Sequence, residues 1–193
     1  MIEVRKAAVG DVPAIHRLAE SLRLRPPDVD KGFLVHVRTE EVYRHIIGAS
    51  KQSLVAIDTG EEKGGRAANA EGGKGLLVGF LLAYSFQELS ELSELTEGPL
   101  KGDVVVEYIK RLGEKGIIYA DQIGVELDYR RKGVGQALAG ELMGSSRGAH
   151  FLAAIMHRPY RNDRSLRLAT RNGWKLRTEV PEGDLVWGIY EFK

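Results

Sequence analysis

An apolar run, Ile117 to Leu127, leads into the basic, glycine-spaced turn Arg130-Arg131-Lys132-Gly133-Val134-Gly135, and the turn opens into a helical pattern that continues to Arg147. A strand, a tight turn and a helix in immediate succession leave the backbone few routes. Gly133 and Gly135 carry no Cβ, so the chain can tighten and lie close to another group. A helix that starts there directs its free N–H groups, and the positive end of its dipole, at whatever occupies the turn. That arrangement suits an anion, most readily a phosphate. Arg130, Arg131 and Lys132 add charge and donors for the same guest. The glycine spacing is not that of a dinucleotide fingerprint, and no Gly-Lys-Ser/Thr follows, so it is not a P-loop either.

Periodicity places this unit within a mixed α/β chain. Ile2 to Ala7 alternates like a half-buried strand. Asp11 and Pro13 mark the start of a helix that Pro26-Pro27 stops, with Asp11 as its N-cap. A second helix is predicted over Thr39 to Gly48. Ser53 to Asp58 and Gly75 to Phe86 read as strands, the second apolar enough to be central. Between them the Gly-, Glu- and Lys-rich stretch 59–74 predicts a flexible loop. Residues 87–116 read as a helical insertion, with an acidic helix carrying Glu88 to Glu97 and an amphipathic one over Asp103 to Leu112. After the glycine turn come a strand (His150 to Met156), a helix (Asn162 to Arg171) and two strands, Trp174 to Val180 and Leu185 to Phe192, joined by a turn over Pro181 to Asp184.

Composition limits the function classes. The chain has 193 residues, enough for one substantial domain spanning 1–193, and 43% hydrophobic residues to fill its core. A net charge of +1 gives no global field to recruit nucleic acid or an anionic membrane. Absence of cysteine excludes disulfides, thiolate metal sites and a Cys nucleophile, and the five His show no ligand spacing, so no metal is expected. No run reaches the roughly 18 apolar residues of a membrane span. Met1 to Lys6 lacks the apolar core of a signal peptide, and a cytoplasmic location is the expectation.

The turn resembles the pyrophosphate loop of the GCN5-related N-acetyltransferase (GNAT) family, Gln/Arg-x-x-Gly-x-Gly/Ala, with Arg130, Gly133 and Gly135 at its defined positions and Val125 five residues before the Arg. A second segment is similar to that family's Asn-x-x-Ala/Ser-x-x-Leu-Tyr-x-x-x-Gly-Phe, matched here by Asn162, Ser165, Leu168, Gly173 and Trp174. The resemblance implies a central mixed sheet flanked by helices, in which two parallel strands splay to admit acetyl-CoA. It implies N-acetyl transfer to an amine acceptor by direct attack in a ternary complex. It also implies a cofactor site in which Arg131, Lys132, Gly133, Val134, Gly135 and Gln136 hold the pyrophosphate. Peptide groups of Ile123, Gly124 and Val125 would hold the pantetheine arm and supply an oxyanion donor, with Asn162 and Ser165 on the pantetheine side. One departure stands out: Ala169 occupies the position where many members carry a Tyr that protonates the leaving thiolate. A thiolate whose pKa lies near about 8.5 can leave without that help. The alternative is a non-catalytic acyl-CoA-binding regulatory or structural protein that kept the loop and lost the chemistry. Dimers are common in such families, so a homodimer is an open expectation.

Catalytic candidates follow from position. Side-chain alternation puts Tyr119, Asp121, Ile123 and Val125 on one face, so that Asp121 would face the cleft and relay the amine proton through water; an ion pair or turn cap is the competing reading. Tyr160 would replace the missing phenol, or pack at a loop edge after Pro159. His157 titrates in the useful range but suits a structural role better. The arginines 158, 161, 164, 167 and 171 read either as a solvated helix face or as a site for the 3′-phosphate of CoA. No stacking aromatics interleave them, so RNA binding is not expected.

Overall fold

A computed structural model of the chain describes residues 1–23, 32–60, 75–85, 87–88, 104–113 and 116–193. Seven strands form one mixed sheet: β1 (Ile2–Lys6), β2 (Leu54–Asp58), β3 (Leu76–Ser85), β4 (Ile117–Val125), β5 (His150–Arg158), β6 (Lys175–Glu182) and β7 (Leu185–Phe192), in the order β1-β2-β3-β4-β5-β7-β6. Every neighbouring pair is antiparallel except β4 and β5. The helices among the described residues are α1 (Val12–Ser21), α2 (Glu40–Ala49), α3 (Val104–Leu112), α4 (Val134–Ser145) and α5 (Asp163–Arg171). The expected loop lies outside the described residues from 61 on, and the expected acidic helix lies outside them from 89 on. The amphipathic helix at the end of that insertion is α3.

Two apolar layers sandwich the sheet. On one face Ile15, Tyr43, Ile46 and Ile109 of α1, α2 and α3 pack on Phe80, Ile117 and Tyr119. On the other, Leu138 and Leu142 of α4 and Ala169 of α5 pack on Val78, Ile118 and Phe151. Thr39 caps α2 by accepting the Val42 N–H. Asp11 does not cap α1. Its buried carboxylate accepts two bonds from Arg5, at 2.7 and 2.8 Å, and one from the Ala8 N–H, which closes the turn before the helix instead. The β6–β7 turn is shorter than the sequence suggested, because Pro181 and Glu182 remain paired with Val186 and Leu185. Pro is tolerated there since β6 is the edge strand, which need not donate on its outer side.

One irregularity governs the centre of the sheet. Ala83 pairs with Ala120 but Leu82 pairs with Gln122, leaving Asp121 as the extra residue of a β-bulge. Alternation therefore resets at Asp121. Tyr119 belongs to the α1–α2 face, whereas Ile123 and Val125 pack on the α4–α5 face. The expectation that Tyr119, Asp121, Ile123 and Val125 share one face is thus corrected.

Candidate functional site

Strands β4 and β5 pair only over Ile117–Ala120 and His150–Ala153, although β4 continues to Val125 and β5 to Arg158. The sheet forks there, and the β5-facing edge of residues 121–125 has no strand partner among the described residues. Phe33 and Leu34 cross the fork as a strap. The Leu34 N–H donates to the Leu22 carbonyl at 2.8 Å, and the Phe33 carbonyl accepts from Asn162 Nδ2 at 2.9 Å. Cavities open on both sides of this strap and share it as a wall.

The larger cavity, about 320 Å³, lies against the glycine turn. Arg131 has φ 62° and Gly133 has φ 83°, both left-handed; Gly133 is the residue from which α4 starts. Glycine takes that conformation without strain, while an arginine held in it is the sort of backbone outlier that collects at ligand clamps. The turn so formed exposes successive N–H groups and the N-terminus of a 12-residue helix. A Cβ on Gly135 would meet nothing closer than Leu168 at 3.6 Å and would stand in the open cavity, so glycine here keeps the cradle empty.

Charge around this cavity has one sign. Arg130, Arg131, Arg164, Arg167 and Arg171 line it, and no carboxylate appears among its described walls. Arg130 Nε donates to the Val125 carbonyl at 3.2 Å, but its buried Nη1 has no hydrogen-bond partner. Burial first, and the neighbouring Arg164 second, hold the Arg130 guanidinium below its ordinary pKa. A buried guanidinium nitrogen left unsatisfied is costly, and arginines gathered along one cleft favour an anionic guest.

Other expected residues divide between lining and scaffolding. Ile123, Val125, Val134, Gln136, Asn162 and Ser165 line the cavity. Gln136 and Asn172 exchange side-chain bonds at 2.6 and 3.2 Å, which locks α4 to α5 and leaves the Gln136 backbone as its contribution. Asn162 is 6% exposed, and besides holding the strap it accepts the Ser165 N–H at 3.3 Å as the cap of α5. Gly124 faces the opposite core, where a Cβ would collide with Phe80. Lys132 lies outside the cavity walls, with its ammonium 4.8 Å from the centre of the Tyr129 ring. Tyr129 in turn donates to Asp58 Oδ2 at 2.7 Å and ties the turn to β2.

The second cavity, about 80 Å³, lies on the α1–α2 side of the fork. Asp121 lines it, held by Arg38 Nε at 3.0 Å and Nη2 at 2.8 Å and accepting from Tyr84 Oη at 3.1 Å. Gln122 beside it accepts from Tyr43 Oη at 2.7 Å and donates to the His36 carbonyl at 2.8 Å, so the bulge is anchored on both residues. Glu182 reaches the chamber from the β6–β7 hairpin and accepts the Trp187 indole N–H at 2.7 Å. Tyr160 does not join this group: it is 39% exposed and lines neither cavity. His157 is engaged at both ring nitrogens, by Glu179 at 2.7 Å and Tyr190 at 3.0 Å, a structural placement. Arg38, Glu182 and Trp187 escaped sequence reasoning because no local pattern marks them; only the strap and the hairpin bring them to the fork.

Together the fork offers an arginine-lined cleft at a helix N-terminus, a strand edge without a strand partner among the described residues, and a chamber containing two carboxylates, one of them matched by Arg38. No family model matches the chain, and no curated protein matches it. Solved structures do. NAA60 of Arabidopsis thaliana in complex with acetyl-CoA superposes with a TM-score of 0.65 at 17% identity, over 100% of this chain and 99% of that one. Ard1 from Thermoplasma volcanium gives 0.63 at 13% identity, over 98% and 95%. The Drosophila melanogaster polyamine N-acetyltransferase gives 0.60 at 14%, over 100% and 99%.

Proposed function

We propose that this chain, whose fold is that of the GCN5-related N-acetyltransferases, transfers an acyl group from acyl-CoA, acetyl-CoA in the first instance, to a primary amine. The observation that carries the reading is the cleft beside α4, lined by five arginines and no described carboxylate, one of them Arg130, whose buried Nη1 has no hydrogen-bond partner. CoA is a polyanion with a pyrophosphate and a 3′-phosphate, and both the orphaned donor and the space kept by Gly135 fit it. The acetyl-CoA complex of the NAA60 neighbour supports the same choice.

In this reading the N–H groups of residues 131–136 hold the pyrophosphate, while Arg164, Arg167 and Arg171 meet the third phosphate. The free edge of Ile123 to Val125 aligns the pantetheine arm, and an N–H of that edge polarises the carbonyl. Bound acyl-CoA supplies a thioester: a C–N bond forms at its carbonyl carbon, the C–S bond breaks with its electron pair on sulfur, and the amine's proton ends on the thiol. On the other side of the strap Asp121 faces the incoming amine and passes its proton on through water. Arg38 and Tyr84 fix that carboxylate in place. The acceptor enters from the chamber walled by His36, Glu182 and Trp187.

A second reading has one observation in its favour. Ala169 is buried against the α4–α5 core and offers no proton to a leaving thiolate, so a binder that has lost its chemistry is the rival. Calorimetric titration of acetyl-CoA into the protein and into Gly133→Asp, followed by thiol release with a panel of amines, tests both. Binding that the variant abolishes, together with thiol release, is expected. Binding without thiol release for any amine points to the rival, and no binding to the unaltered chain sinks the cofactor assignment.

A further inference from the structure

A third cavity, about 80 Å³, lies at the fork on the α4–α5 side of the sheet. It begins where strand pairing ends, at Ala120 and Ala153, the last partners of β4 and β5. Its walls are almost wholly apolar, and Ala120, Ala139, Ala153, Ala154 and Ala169 give it short side chains on every side. Ile123 and Ser165 line this cavity and both others, so the space opens where the anion cleft and the acceptor chamber meet.

Protein interiors are packed to near crystal density, and an apolar void of this kind is ordinarily closed by a larger side chain. Here five methyl groups keep it open. We infer that the cavity receives the hydrocarbon tail of the transferred group, so that the chain takes straight acyl groups longer than acetyl, propionyl and butyryl among them. This rests on the acyl-CoA reading above. A thioester held by the clamp and the β4 edge has its carbonyl beside Ile123, and the carbons beyond it are the apolar part of the ligand nearest the void. Ala169 therefore has a positive role: the phenol that many members of the resembled family carry there would fill the room that the tail needs.

Burial of each additional methylene strengthens binding about fourfold, so butyryl-CoA, with two more, should bind about 15-fold more tightly than acetyl-CoA. With about 80 Å³ and the bulky Trp174 and Leu142 among its walls, the cavity has no room for a long chain, and octanoyl-CoA should gain nothing further. The test is calorimetric affinity of the full chain for acetyl-, propionyl-, butyryl- and octanoyl-CoA, repeated on Ala169→Leu and, from the opposite wall, Ala139→Leu. The expected result is a rise in affinity to butyryl, and a butyryl-to-acetyl ratio that falls toward one in each leucine variant. If one variant fails to fold, the other and the unaltered protein's own series still decide. Acetyl-CoA binding with no gain for butyryl-CoA, or a gain that both leucine variants retain, overturns the inference while leaving the acyl-CoA reading intact. Failure of every acyl-CoA to bind removes the parent reading and this inference with it.

Discussion

Arg38 and Asp121 lie 83 residues apart in sequence and meet with Nη2 2.8 Å from Oδ2 on the α1–α2 side of the fork. Their side chains are 9% and 7% exposed. At that burial, removing one partner strands the other's charge, so Arg38→Met should cost about 3 kcal/mol in urea denaturation. The Arg38→Met/Asp121→Asn double variant should be less damaged than the sum of the two singles. Asp121→Asn alone should lower kcat about 100-fold while acetyl-CoA affinity holds. An Asp121→Asn enzyme with undiminished kcat would assign the pair to structure alone.

Gly124 and Phe80 make the tightest of the packing relationships around β4. A Cβ at Gly124 would run into Phe80 Cε1 and would lie 3.0 Å from Leu22 Cδ1. Phe80 is 1% exposed and has nowhere to retreat. Gly124→Ala should therefore lose about 1–3 kcal/mol to overpacking, and adding Phe80→Leu should return part of it. Equal urea midpoints for Gly124→Ala with and without the Phe80 change would show that the strand shifts as a body instead.

The tie between Tyr129 and Asp58 sets an acid limit on the glycine turn before α4. The Tyr129 hydroxyl first, then the Gly60 amide and the terminal ammonium, lower the Asp58 carboxyl from 3.8 to about 2. A carboxyl depressed on folding contributes stability in full above its unfolded value, and that contribution is lost as pH falls through the folded one. Thermal midpoints should accordingly drop between about pH 4 and pH 2, and Tyr129→Phe should flatten that drop. Superimposable pH profiles for the two proteins would mean that the bond does not hold the turn.

Local patterns carried the reading as far as the glycine turn before α4 and most element positions. The left-handed residues at Arg131 and Gly133, the start of α4, and the Asn162 cap of α5 all follow from neighbours in the chain. What stayed hidden depends on pairing at long range. Nothing around Asp121 announces a bulge, since it exists only through the register of β4 on β3, and that register decides which face each β4 side chain takes. Arg38 and Glu182 meet the fork because of the strap and the hairpin. Tyr160 looked apt from its place before Asn162, yet the loop after β5 leaves it in solvent. Asn162, expected on the pantetheine side, lines the cleft, and what no local pattern marked is that it also holds the strap through the Phe33 carbonyl.

The bulge at Asp121 makes β4 a strand with two addresses. Ile117, Tyr119 and Asp121 speak to the side under α1 and α2, and Ile123 and Val125 speak to the cleft under α4 and α5. Deleting Asp121 would let Gln122 follow Ala120 in a regular ladder with every later side chain on the face it holds now, so what the bulge adds is one carboxylate on the chamber side, inserted without re-aiming the rest of the strand.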